Sequence, residues 1–190
     1  HAGQRSGQEA TQQQRRPAKG PSRNGGHRRG PVFAAIDLGT NNCRPLIARP
    51  NQAEQQQPFT VVDAFSRIVR LGEGLGQTGG LSDDAMSRTV AALNICAGKI
   101  KKQGATRVDA VATEACRQAS NYQEFVERVQ TETGLTLRVI SGQEEAAIGL
   151  AGCASLITQK TPRALVFDIG GGSTEVSWID TTGNRPRVVA

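Results

Sequence analysis

Apolar runs along the chain are separated by turns rich in Gly, Pro and polar side chains, and their period switches from two to about 3.6. Residues 32–37 (VFAAID) read as a buried strand opened by Pro31, and residues 43–49 as a second strand after a short turn. Pro45 within that second run cannot donate to a ladder, which predicts an edge strand or a bulge. Residues 59–71 carry Val61, Val62, Phe65, Ile68 and Val69 and predict a third strand, bent or interrupted near Ser66. The three strands form an antiparallel meander. Gly72, Gly74, Gly76, Gly79 and Gly80 then mark a mobile loop.

Helical spacing takes over at Ser82, an N-cap followed by Asp83 and Asp84. Met86, Val90, Leu93, Ala97 and Ile100 fall on one face, Lys99, Lys101 and Lys102 close the last turn, and Gly104 lies beyond. Residues 107–113 predict a strand. Residues 121–133 predict a helix with Tyr122, Phe125, Val126 and Val129 inward and Gly134 as C-cap. Residues 135–140 predict a strand, Ser141 opens a helix to about Leu156, and Pro162 precedes a strand at 164–168. A turn at 170–174 leads to a strand at 175–180, expected to pair with 187–190; Trp178 on it reads as core. A meander followed by alternating helices and strands is an α/β pattern with a mixed sheet, and after Pro162 the pattern starts again.

Charge changes this picture only at the N-terminus. Residues 1–30 hold Arg5, Arg15, Arg16, Lys19, Arg23, Arg28 and Arg29 against Glu9, which equals the whole net charge of +6. The remainder is neutral, so the high pI belongs to a tail rather than a basic face, and no specific nucleic-acid site is expected. The tail's only apolar side chains are Ala2, Ala10 and Ala18, which predicts a disordered basic extension: a solubilising segment, or a loose clamp on polyanions. Cys43, Cys96, Cys116 and Cys153 have no C-x-x-C spacing, so reduced buried thiols in a cytoplasmic protein are expected rather than zinc. No run approaches the roughly 20 apolar residues of a membrane span, and no signal peptide or membrane association is expected. A start at His1 and an end at Ala190, just after a strand-like run, suggest a fragment.

Two short segments carry the chemistry. Residues 32–42 (VFAAIDLGTNN) and 165–175 (LVFDIGGGSTE) each run an apolar strand into an Asp and break into a Gly- and hydroxyl-rich turn. Such a turn presents a carboxylate beside unshielded backbone N–H groups, which suits a metal-bound phosphate. Two copies, at Asp37 and Asp168, suggest two facing turns gripping one phosphate. Consecutive Gly171 and Gly172 after a buried strand cost backbone entropy and are hard to explain as packing. Ser141-x-x-Glu144 is a capping box that occupies Glu144 at a helix terminus, whereas Glu145 points elsewhere on the first turn. From the residues alone, Glu145 is either an acid favoured by the helix dipole or a functional carboxylate, and Arg117 either a helix-start cation or a functional one.

Five stretches in order extend from residue 33 to about 180: FAAIDLGTNN (33–42), RLGEGL (70–75), the frame of Thr113, Ala115, Arg117, Ala119 and Asn121, ISGQEEA (140–146), and FDIGGGSTE (167–175). Together they resemble the exopolyphosphatase / guanosine-pentaphosphate phosphohydrolase (Ppx/GppA) family of the actin-like ATPase superfamily. The resemblance implies a ribonuclease-H-like α/β domain with a mixed five-stranded sheet at 31–158, and the truncated start of a second at 159–190. It also implies Mg²⁺-dependent release of terminal phosphate from inorganic polyphosphate or pppGpp, as in stringent-response chemistry. Asp37 and Asp168 would lie near Mg²⁺. Gly39, Thr40, Asn41, Gly170, Gly171, Gly172, Ser173 and Thr174 would cradle phosphate oxygens. Arg117 would neutralise the reacting phosphate, and Glu145, assisted by Glu175, would activate water.

The chain departs from the family pattern in several places. Thr40 and Asn42 stand where Ser is commoner, Arg44 follows where an aromatic–His pair is frequent, and Pro45 replaces an apolar residue. Ala147 stands where Arg is usual, which removes one charge near Glu145. A kinase or ATPase of the same superfamily, and a non-catalytic regulator that binds polyphosphate or (p)ppGpp, are the alternatives. A homodimer of a full-length protein is compatible with the resemblance. With one cleft wall and part of the other, the isolated chain is expected to be unstable or inactive.

Overall fold

The computed structural model describes residues 30–51, 58–157, 161–183 and 186–189. The basic tail, Gly30 apart, lies outside the described residues, as do residues 52–57 of the Gln-rich loop.

Strands β1 (Val32–Leu38), β2 (Asn42–Pro50) and β3 (Phe59–Ala64) form the expected antiparallel meander. The bend near Ser66 is a break, after which β4 (Arg67–Ile68) pairs with the start of β2. Strand β5 (Ala105–Ala112) lies parallel to β1, and β6 (Leu137–Val139) parallel to β5, so the order is β3-β2-β1-β5-β6. The sheet is mixed, as expected, with β4 as a sixth strand beside the expected five.

Strand β2 is interior, which corrects the expectation of an edge at Pro45. The Pro45 carbonyl accepts from the Phe65 N–H at 3.3 Å, so the missing N–H faces the same side, opposite the gap between β3 and β4. No ladder bond to β1 is lost, because in antiparallel pairing the N–H and C=O of one residue point the same way. A register shift in the β2–β3 ladder does occur, two residues further on at Ile47/Ala48.

Alternation in β1 buries Val32, Ala34, Ile36 and Leu38. Helix α2 (Asp83–Lys102) covers this layer with Met86, Val90, Leu93, Cys96 and Ile100, while Ala97 is half-buried. Its Ser82 cap accepts the Ala85 N–H at 3.3 Å. Helix α4 (Tyr122–Thr133) adds fully buried Phe125 and Val129 and ends at Gly134, whose φ of 72° is the left-handed value a C-cap requires. Phe125→Ala is expected to lower unfolding stability by about 3–5 kcal/mol, read from the urea midpoint at constant slope.

The glycine-rich segment is more ordered than expected. A one-turn helix α1 (Leu75–Thr78) buries Leu75, and the Asn121 side chain holds Leu81 by accepting its N–H at 2.8 Å and donating to its carbonyl at 3.0 Å. A five-residue helix α3 (Glu114–Gln118), not read from the sequence, starts directly after β5.

Helix α5 (Gly142–Cys153) continues as a 3₁₀ turn at Ala154–Leu156. A separate antiparallel sheet follows: β7 (Arg163–Ile169), β8 (Thr174–Asp180) and β9 (Arg187–Val188). One face of it contacts α5. The other carries Leu165, Phe167, Ile169, Val176 and Trp178, all exposed, so Trp178, at 41% exposure, is not a core residue among the described residues. No helix of the described residues is long and apolar enough to cross a membrane. The four cysteines are free, and the fold brings buried Cys43 and Cys96 to an Sγ–Sγ distance of 3.9 Å.

Candidate active site

Two sheet ends face each other across a small cleft. Strand β1 delivers Asp37, and the following turn is closed by the Gly39 N–H donating to the Asn42 carbonyl at 2.9 Å. Strand β7 delivers Asp168 in the same way, and the Gly170 N–H closes its turn on the Ser173 carbonyl at 2.9 Å. The two turns touch. A side-chain carbon on Gly171 would overlap the Asn41 amide, and one on Gly172 would overlap the Thr40 hydroxyl. Neither glycine has a left-handed φ, so the reason for both is close approach of one turn to the other.

The cavity between the turns has a volume of about 260 Å³ and is lined by Asp37, Thr40, Asn41, Glu145, Asp168 and residues 170–173, among others. Burial pushes the Asp37 carboxyl above the usual range, against the pull of Arg44 and with a further rise from Asp168. Arg44 lies opposite Asp37 across the β1–β2 ladder at 3.8 Å; the Arg44 side chain is largely exposed and that of Asp37 half-buried, so the pair adds little.

Glu145 reaches the cleft from the first turn of α5. Ser141 accepts the Glu144 N–H at 3.2 Å, which is half of the expected capping box. The Glu144 carboxylate does not complete it but accepts from Arg138 at 2.5 Å, so this acid is occupied by a cation rather than by the helix terminus. Glu145 Oε2 instead accepts from Arg117 Nη1 at 2.7 Å. Arg117 comes from α3 and also donates Nε and Nη2 to Glu114 (2.9 and 2.6 Å) and Nη1 to the Ile140 carbonyl (3.0 Å). Both side chains of the pair are about four-fifths buried, at 20% and 18% exposure. Burial raises the pKa of Glu145; Arg117 opposes this, and Glu175 and Asp37 add to it. Burial also disfavours the Arg117 charge, but Glu145 and Glu114 outweigh it and hold the guanidinium above its usual pKa.

The cleft offers oxygen ligands and no His or Cys, which suits a hard cation such as Mg²⁺. Among the described residues no three acidic, His or Cys side chains are grouped to hold a metal by themselves. Two carboxylates on opposite walls fit a cation that keeps several waters and is otherwise bound by substrate phosphate.

A model of the Ppx/GppA phosphatase family matches residues 47–187. The chain belongs to the Ppx/GppA phosphatase family. The crystal structure of the Aquifex aeolicus Ppx/GppA family member is 31% identical at a TM-score of 0.70, with 84% of this chain and 50% of that one covered. An exopolyphosphatase from Cytophaga hutchinsonii is 25% identical at a TM-score of 0.74, covering 84% and 48%. An exopolyphosphatase-like protein is 32% identical at 0.74, covering 85% and 49%. The chain thus spans about half the length of the solved Ppx/GppA relatives it matches. Arg117, Glu145, Asp168 and Glu175 lie inside the matched range, while Asp37 and its turn precede it.

Of the residues singled out in the sequence, Asp37, Gly39, Thr40, Asn41, Glu145, Asp168, Gly170, Gly171, Gly172 and Ser173 line the one cleft. Thr174 starts β8 outside its lining. Glu175 sits across the β7–β8 ladder from Asp168 and, with Asp168, Gly149 and Cys153, lines a neighbouring cavity under α5. Arg117 stands behind Glu145 rather than in the cleft lining. Asn42, Arg44, Thr113 and Ile169 line it in addition. Of these, Thr113 could have been read from the Ppx/GppA frame it opens: it follows β5 directly, and its carbonyl accepts the N–H groups of Cys116 and Arg117.

Proposed function

We propose that this chain forms the phosphate-cleaving centre of an exopolyphosphatase, releasing terminal phosphate from inorganic polyphosphate or pppGpp. The observation that carries this reading is Glu145, fixed by Arg117 at the edge of a cleft walled by two Asp-Gly turns. The Cytophaga hutchinsonii relative named as an exopolyphosphatase supports the substrate class.

The turn N–H groups of residues 40–41 and 171–173, with the hydroxyls of Thr40 and Ser173, would hold the oxygens of the terminal phosphate, the N–H groups of Gly39 and Gly170 being committed to closing the two turns. Asp37 and Asp168 would hold Mg²⁺, which neutralises charge on those oxygens when bound. Arg117 takes Glu145 Oε2, leaving Oε1 to accept a proton from water. The water oxygen bonds to the terminal phosphorus, the bond to the bridging oxygen breaks, and the shortened chain leaves with that electron pair. Glu175, close enough to raise the Glu145 pKa, would assist by keeping the base receptive to the proton.

In a protein of its relatives' full length that carries this chain, phosphate release is expected from long-chain polyphosphate or pppGpp with Mg²⁺, and not from ATP, read by inorganic-phosphate assay. Release from ATP alone would favour an ATPase. Tight polyphosphate binding without release from any substrate would favour a regulator.

A further inference from the structure

We propose that Gly72 is a positioning residue for the phosphate cleft: its bare Cα leaves the space that the Thr40 methyl fills, and this turns the Thr40 hydroxyl toward Gly172. Thr40 lies between two glycines. Its Cγ2 occupies the place a side chain on Gly72 would take, and its Oγ1 the place of one on Gly172. The segment carrying Gly72 is tied to the back of the turn by three backbone bonds. The N–H groups of Val69 and Arg70 donate to the Asn41 carbonyl at 2.8 and 3.0 Å, and that of Gly72 to the Thr40 carbonyl at 3.1 Å. Arg70 accepts a left-handed φ of 49° in making its bond.

The glycine is not explained by its backbone. Gly74 and Gly79 have φ values of 77° and 73° and need glycine for that reason, whereas Gly72 does not adopt the left-handed region. Nor is space short elsewhere, since the next nearest atoms to an added Cβ, those of Ala115 and Thr40 Cβ, are at an ordinary 3.7 Å. Of the atoms nearest a Cβ at residue 72, only the Thr40 methyl overlaps it. Threonine has two heavy branches on one staggered χ1, so moving the methyl off Gly72 carries the hydroxyl away from the cleft as well. Serine has no methyl, and with serine at residue 40 the restriction at residue 72 disappears.

The phosphate part of this inference rests on the proposed function; the Gly72–Thr40 coupling does not. The test measures Gly72→Ala in the Thr40 and the Thr40→Ser backgrounds, by urea midpoint and by calorimetric binding of inorganic tripolyphosphate with Mg²⁺. In the Thr40 background, Gly72→Ala is expected to lower the midpoint and weaken tripolyphosphate binding by at least about tenfold. In the Thr40→Ser background, the same change should leave the midpoint in place and alter affinity by less than about twofold. Failure of Gly72→Ala to fold, with the double variant folding, would equally support the coupling. Equal loss of stability in both backgrounds would overturn it. A lowered midpoint with unchanged affinity would overturn the positioning role. Absence of binding in the unaltered chain would overturn the phosphate reading and the positioning role with it, while the midpoints would still report the packing.

Discussion

Replacing Glu145 with Gln lowers phosphate release by about 10²- to 10⁴-fold, the usual contribution of a positioned base. Glutamine keeps the shape and an oxygen that accepts from Arg117 Nη1, but it cannot take a proton from water. Circular dichroism and tripolyphosphate binding should therefore stay close to those of the unaltered chain while turnover falls. Unchanged turnover would remove Glu145 as the base. As the proposed base, the same residue would set the acid side of the pH profile. Its pKa stands above the usual glutamate value because burial, Glu175 and Asp37 together outweigh Arg117. A base with a raised pKa is protonated at a higher pH, so activity should fall on the acid side before an ordinary glutamate would titrate.

Replacing Arg117 with Met has the second large effect, and it separates two roles for the arginine. The change removes four hydrogen bonds from a largely buried guanidinium and leaves Glu145 and Glu114 without their shared cation. A loss of about 2–3 kcal/mol in unfolding stability at neutral pH is expected. With the cation gone, the remaining influences on Glu145 all raise its pKa, so the acid limb of the activity profile should move to higher pH. If Arg117 acts only by holding Glu145, kcat falls with the limb and KM for polyphosphate changes little. A large rise in KM with an unmoved limb would mean that Arg117 meets the phosphate directly, the role its motif suggests. The position also bears on the Ala147 departure: the cation beside the base comes from α3 rather than from the helix that carries the base.

The legible parts of the fold were those where local chemistry and long-range packing agree. Alternation in β1, the Ser82 cap and charged last turn of α2, and the Gly134 stop of α4 all appear where the spacing places them. The illegible parts depend on partners distant in sequence. Pro45 looks wrong for an interior strand until the β3–β4 break opposite it is known. Helix α3 is too short for periodicity to register. Trp178 alternates like a core residue, yet the large apolar side chains of its face of the second sheet are exposed among the described residues. Glu144 was assigned to its own helix terminus, but Arg138 was within reach from β6.

What the sequence determined by itself is the inventory: two Asp-Gly turns at strand ends, the Thr113-to-Asn121 frame and Glu145 beside a helix cap. These follow from local rules, because strand period, turn residues and caps act over a few residues. Tertiary structure decided how they face one another. It set Gly171 and Gly172 against Asn41 and Thr40, placed Arg117 behind Glu145, and left Gly72 as the space the Thr40 methyl fills. Those relations join residues from 28 to more than 130 positions apart. Only the packing of one sheet end against the other fixes such distances, because close-packed backbones leave room for one arrangement of side chains between them.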